Sequence, residues 1–452
     1  MPQLRALLTR LTRAESAELA ASLWSFVYFF ALLAGYYVLR PIRDEMAIQV
    51  GQAKLHELFL GVFVTMLVVA PVFGWLTRTF PRRRLLPWLY AFFVANLGVF
   101  WLLFDAGRGA QAETVARAFF VWVSVFNLFA ISVFWSFMAD LFDTAQAKRL
   151  YGFIAAGGTV GALAGPALTA GFVTLVGVRS MLLVSAGFLA VAIVAILNLR
   201  AWAARADAAR QPADPAARGT TDRTAEQPIG GSIWAGITDI VRSPYLLAIC
   251  LFLFAYSLLS TLLYFQQTDL VPAAIADSAE RTRLLALVDM AVNLLTLAVQ
   301  VFAFGALIRR LGTTFMLCAM PVVAIVGFAA LALSPVLATL VVFGVIRRAG
   351  EYAVSKPARE TLFNALPAEQ KYKAKNVIDT LVHRTGDTAS SWIFAGLKSI
   401  GLSLTTMSWL AVPVSAAWLG VALWLGRAAT RQERHAATIS AGSRPGSLAV
   451  RP

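Results

Sequence analysis

Twelve apolar runs of bilayer-spanning length recur along this chain and constrain its fold more than any motif does. They lie at 20–42, 57–78, 85–104, 115–140, 150–176, 180–202, 245–268, 283–308, 313–333, 335–357, 376–398 and 404–426. A spanning helix needs about 20 predominantly apolar residues. For runs this long the helix is the expected element, because it satisfies every backbone N–H and C=O inside its own segment. Of the 452 residues, 59% are hydrophobic and 14% charged, with a mean hydropathy of +0.71. That lies outside the range of an ordinary soluble domain. The expected fold class is therefore all-α: a polytopic membrane protein of twelve transmembrane helices.

The net charge of +15 could point to nucleic acid, but its placement argues against such a partner. With both termini inside, the inner loops carry Arg78, Arg82 to Arg84, Lys148, Arg149, Arg309, Arg310, Lys371, Lys373 and Lys375. The outer loops hold few, namely Arg108, Arg117, Arg179, Arg281 and Arg283. This is the asymmetry of a membrane protein with a cytoplasmic N-terminus. Residues 204–231 are rich in Ala, Pro, Arg and Asp without an apolar period, and read as a disordered cytoplasmic linker. The expected organisation is a bundle at 1–203, this linker, a second bundle at 232–430 and a cytoplasmic tail at 431–452. Arg5, Arg10 and Arg13 precede the first apolar segment, which is long enough to remain a span and lacks a cleavage pattern. Cys250 and Cys318 lie in apolar runs, and His56, His383 and His435 are scattered. No metal site or other cofactor is implied.

The two halves echo each other. Gly74 and Arg78 precede the third span as Gly305 and Arg309 precede the ninth, and Ala147-Lys148 opens the fifth as Ala374-Lys375 opens the eleventh. Two pseudo-symmetric six-helix bundles around a central cavity would give this pattern. The layout resembles the major facilitator type. That family's loop signature between spans two and three matches at Gly74 and Arg82 to Arg84, with Arg78 in place of its acid.

Charge inside this greasy chain concentrates between Arg347 and Asp387, where thirteen residues are charged. The apolar run before it, 335–346, is only a dozen residues, so the tenth span must recruit charged residues to cross. Counting about 10 residues in from the outer surface puts Arg347 and Arg348 near the midplane. Charge at that depth costs several kcal/mol unless it meets water or a partner, so a polar cavity for a charged solute is expected. The alternative is a short helix with Arg347 already at the inner surface.

Other features admit two readings. Gly157, Gly161 and Gly165, spaced four apart and followed by Pro166, let helices approach closely. The string 161–166 also resembles an antiporter signature of the facilitator superfamily. Arg40 and Arg43 share a helix face if the helix survives Pro41, or else form an interfacial loop neutralised by Asp44 and Glu45. Asp289, Asn293 and Gln300 fall on one face of the eighth span. Asp289 would take a proton or pair with a cavity arginine. Phe126, Phe134, Trp135 and Tyr264 would stack on a base, or simply pack. No catalytic motif appears, so an enzyme is not expected.

Three segments resemble the ATP/ADP translocase family of plastids and intracellular bacteria. Tyr36 to Met46 (YYVLRPIRDEM) is similar to the family's segment ending the first span. Ser355 to Asp387 is similar to its tenth- and eleventh-span region, with Pro357, Glu360, Pro367, Lys373, Lys375, Ile378, Asp379, Arg384 and Gly386 in register. Phe134 to Phe153 matches a third run through Phe134, Trp135, Phe137, Ala139, Ala147, Lys148 and Tyr151. The resemblance implies that two family lysines fall on Arg43 and Arg359. Both positions stay cationic, and arginine suits bidentate phosphate contact. The family's acids in the fourth and seventh spans have no counterpart before Asp140 and Asp269, which weighs against strict ATP-for-ADP exchange.

The candidate substrate-binding cations are therefore Arg40, Arg43, Arg347, Arg348, Lys356, Arg359 and Arg384. Candidate coupling or gating acids are Asp44, Asp289, Glu351, Glu360 and Asp379. Gly157, Gly161, Gly165 and Pro166 are assigned to helix packing. The expected function is alternating-access exchange of nucleotides or related phosphorylated anions across a bacterial inner membrane, by a monomer. The alternatives are a proton- or cation-coupled carrier of another organic anion and, more remotely, a non-transporting membrane receptor. The expected partners are an anionic small molecule and the lipid bilayer.

Overall fold

The computed structural model describes residues 15, 18–79, 82–106, 110–210, 240–363, 375, 377–378 and 382–442. Among them every regular element is helical. The first five helices are α1 (Leu19–Val50), α2 (Leu55–Thr79), α3 (Arg82–Ala106), α4 (Ala110–Leu141) and α5 (Thr144–Arg210). Then come α6 (Pro244–Ala274), α7 (Ser278–Ala298), a π-helical stretch Val299–Phe304 and α8 (Gly305–Leu333). The chain continues with α9 (Leu337–Gly350), a second π-helical stretch Glu351–Ser355, α10 (Lys356–Leu362), α11 (His383–Ser399) and α12 (Leu404–Gly442).

Eight helical stretches among the described residues are long and apolar enough to cross a membrane. Two of them each hold two spans. The 67 residues of α5 would extend roughly 100 Å as one helix, several times the hydrocarbon thickness. Gly177 divides it with φ 79° and ψ 158°, a conformation that glycine adopts without a Cβ clash. Gly312 (φ 75°, ψ 172°) does the same within α8. Of the two remaining expected spans, 335–357 is helical from Leu337 on, and 376–398 is helical from His383 on. The first carries too much charge to stand out by hydropathy. The column from α9 through the π stretch to α10 is continuous from Leu337 to Leu362, so the helix does not stop at Arg347. Large apolar side chains such as Leu67, Val68, Trp88, Leu175 and Phe302 are exposed, as a lipid-facing surface requires.

Several boundaries differ from expectation. α1 continues eight residues past 42, through Pro41 and the charged RDE triplet, and ends at Gly51. The Gly51 N–H closes the last turn onto Ala47 O and Ile48 O. α5 runs seven residues into the expected linker, and 211–231 lie outside the described residues. α12 continues into the expected tail as far as Gly442.

Contacts divide the chain into two compact units. Unit 1 comprises 1–223 with 267–294, and unit 2 comprises 224–266 with 295–452. In unit 1, α1 packs along the first arm of α5. A Cβ on Gly157 would come within 2.5 Å of Phe26 O, and one on Gly165 within 2.6 Å of Ala34 O. A Cβ on Gly161 would clash with Phe30 O and Ala34 N. The glycines thus admit the α1 backbone itself. Tyr28 donates to the Tyr90 hydroxyl at 2.8 Å and Tyr90 to Ala130 O, so buried hydroxyls are matched. In unit 2 Phe343 sits edge-on to Phe328 and over Gly327.

Candidate functional site

Unit 1 carries three layers of charge along α1. At its N-terminal end, buried Glu18 accepts from Gln146 Nε2 at 2.8 Å and Arg149 Nη2 at 3.0 Å. Further along, Arg40 Nη1 lies 3.6 Å from Asp289 Oδ1, and Asp289 is only 2% exposed. Arg43 stays within the helix, holds Asp44 through Nη2 at 2.6 Å, and lies 5.2 Å over the Phe120 ring. Near the C-terminal end Glu45 is gripped by Arg281. Because α1 extends to Val50, Arg43 sits seven residues inside it, about 10 Å from its end. That is deeper than a span ending at 42 allows.

The expected face of α7 splits. Asp289 meets Arg40, and Asn293 donates to Ala162 O at 2.7 Å, both in unit 1. Gln300 falls in the π stretch of unit 2 and donates to Tyr352 O at 3.3 Å. That carbonyl lies in the second π stretch, where the helical ladder is interrupted.

Unit 2 holds a column of polar groups on α9, the π stretch and α10. Arg347, Glu351, Ser355 and Arg359 follow one another at every fourth position. In an α-helix that spacing overshoots a turn by about 40°. The wider π turn over 351–355 winds the column back, so all four stay on one side. Glu351, Ser355 and Arg359 are buried. Arg359 Nη1 lies 3.5 Å from Glu351 Oε1. Arg347 Nη1 donates to Ser260 Oγ, and its guanidinium lies 5.7 Å over the Tyr256 ring. Tyr256 in turn contacts Trp418 and His383. Four buried polar atoms of this column have no hydrogen-bond partner among the described residues: Arg347 Nε, Glu351 Oε2, Ser355 Oγ and Arg359 Nε.

Arg348 and Arg384 are half-buried and Lys356 is exposed. Glu360 pairs with Lys375, both partly exposed, and Asp379 lies outside the described residues. Phe126 and Phe134 are wholly buried, Phe126 against Trp122 and Phe134 against Phe29. They are packing residues, not free stacking surfaces. Sequence reasoning passed over Ser355, Tyr256 and Ser260. The signal for the last two is their spacing of four within an apolar run, which puts both on one face of α6. Among the described residues no group of three or more His, Cys, Asp or Glu could hold a metal ion.

In a helical membrane protein, buried charges inside the helices mark a functional site or a solute pathway. The sequence profile of the Major Facilitator Superfamily matches residues 19–357, and the chain belongs to that family. It is a transporter, not an enzyme. A bacterial homologue of the iron transporter ferroportin, solved in an inward-facing state, is similar with a TM-score of 0.62 and 16% identity. That match covers 91% of this chain and 98% of the other. The nucleoside transporter NupG is similar at 0.59 and 13% identity, over 92% and 99% of the two chains. Both likenesses are of fold. ADP,ATP carrier protein 2 of Chlamydia trachomatis serovar D is 24% identical over 213 residues, 42% of this chain. The chain spans only 39% of that relative's length.

Proposed function

We propose that the protein exchanges nucleotides or related phosphorylated anions by alternating access, as a monomer in a bacterial inner membrane. Its expected form is two six-helix bundles, 1–203 and 232–430, a linker at 204–231 and a tail at 431–452, with both termini cytoplasmic. The observation that carries this reading is the pair Arg347 and Arg359. Both lie on one continuous helical column, beside Ser355, with hydrogen-bonding capacity that no described residue uses. Guanidinium groups on a low-dielectric wall are suited to a phosphate. The resemblance at Arg43 and Arg359 and the carrier name of the Chlamydia relative point the same way. The test is uptake of labelled ATP and ADP into proteoliposomes, with and without nucleotide inside. Uptake that needs internal nucleotide supports the proposal; none under either condition overturns it.

The second reading is a proton-coupled carrier of another organic anion. The Arg40–Asp289 pair favours it, since ionisable residues buried inside a membrane protein mark ion and proton pathways.

A further inference from the structure

We propose that Glu351 sets how much negative charge the unit 2 site accepts, by standing where part of an anionic substrate would otherwise sit. The inference rests on reading Arg347 and Arg359 as the anion site. It adds a residue that limits the anion's charge, and so names the substrate class more narrowly.

Two buried glutamate–arginine pairs in this protein differ sharply. Glu45 takes Arg281 at 2.6 and 2.9 Å, Ser278 Oγ at 2.7 Å and Gln49 Nε2 at 3.1 Å. That carboxylate is saturated, as a structural ion pair must be. Glu351, 5% exposed, meets Arg359 only at 3.5 Å, through one oxygen, and its Oε2 has no partner among the described residues. The distance exceeds the roughly 2.7–2.9 Å of a charge-assisted hydrogen bond. Ser355 is wholly buried and Arg359 is 8% exposed, and each also has an unused donor. The column therefore offers N–H and O–H donors from Arg347, Ser355 and Arg359, with one carboxylate acceptor, Glu351 Oε2, among them.

Such a set fits an oxyanion that also carries a hydroxyl or N–H, such as a phosphate monoester or a partly protonated phosphate. Among Arg347, Glu351, Ser355 and Arg359, two guanidinium groups and one carboxylate leave one net positive charge. Each further negative charge on the substrate must oppose Glu351 in a low-dielectric setting, where repulsion is weakly screened.

The experiment compares kcat/KM for AMP, ADP and ATP, a series of rising charge on one base, in reconstituted vesicles. Wild type should favour the lower charges. Glu351→Gln should raise the ATP-to-AMP ratio by about tenfold or more, the scale of one charged contact. Glu351→Asp, which keeps the charge, should hold the wild-type ratio, as should Asp105→Asn, an exposed carboxylate change in unit 1. Arg347→Gln removes one positive charge and should lower the ratio by a similar factor, which reads the inference even where Glu351→Gln does not fold. A ratio unchanged in Glu351→Gln where it folds, or in Arg347→Gln where it does not, or shifted equally by Glu351→Asp, overturns it. Wild-type protein that takes up none of the three nucleotides overturns the anion reading instead, and this inference falls with it.

Discussion

The carboxylate of Glu45, with no exposed surface, receives Arg281 Nε at 2.9 Å and Nη2 at 2.6 Å. The two residues are 236 positions apart in the chain. Removing one partner of a buried ion pair strands the other charge and costs about 3–5 kcal/mol. Arg281→Ala should therefore lower the thermal unfolding midpoint in detergent substantially. Adding Glu45→Gln to it should recover part of the loss. A double-mutant cycle with no coupling energy would show that the pair is incidental.

The glycines of α5 predict opposite outcomes for one substitution. A Cβ at Gly161 meets the Phe30 and Ala34 backbone, which cannot move aside without shifting α1, whereas one at Gly171 meets nothing within 4 Å. Gly161→Ala should destabilise the protein and reduce its folded yield. Gly171→Ala should be neutral or stabilising, by up to about 1 kcal/mol, because alanine is the better helix former. Equal yields of the two variants would mean that the close approach of α1 and α5 is not required.

The eight spanning stretches among the described residues are legible in the sequence because apolar length alone specifies a membrane helix. Their ends are not. The RDE triplet at 43–45 reads as the end of a span, since three charges in apolar surroundings are costly. The helix nevertheless continues, because Arg43 is neutralised by Asp44 and Glu45 by Arg281. The second of these partners is distant in sequence and carries no local signal. The cationic character of the tenth span is legible in Arg347 and Arg359. Their common side is not, because a spacing of twelve drifts around an α-helix and only the π stretch at 351–355 restores it. Gln300 leaves the face of Asp289 and Asn293 for the same reason, since α7 gives way to π geometry at Val299.

Orientation is testable at the linker. The proposed orientation, drawn from the basic loops and an even number of spans before it, predicts that residues 204–231 face the cytoplasm. A Gly219→Cys reporter should resist impermeant thiol reagents added to intact spheroplasts and react after lysis. Labelling from outside would overturn the orientation.

Arg359 should act on substrate charge. Losing one charged hydrogen bond to an anion costs about 1.5–3 kcal/mol, roughly tenfold to a hundredfold in affinity. Arg359→Ala alone also strands the Glu351 carboxylate, so the informative variant is Arg359→Ala combined with Glu351→Gln. It should fold and show that loss in nucleotide uptake relative to Glu351→Gln alone, and Arg359→Lys should retain part of the activity. Uptake by the double variant equal to that of Glu351→Gln would remove Arg359 from the site.

Coupling is testable at Asp289. If transport is exchange, the Arg40–Asp289 pair is structural. Internal substrate should then stimulate uptake strongly, collapse of the proton gradient should change little, and Asp289→Asn should still exchange. The amide keeps the shape and one acceptor oxygen, so folding should survive the substitution better than truncation to alanine would allow. A proton-driven carrier behaves otherwise, because the carboxylate must bind and release a proton in each cycle. Its uptake would proceed into empty vesicles, stop with a protonophore and disappear in Asp289→Asn. That second set of results would replace exchange with proton coupling and make Asp289 the group that carries the proton.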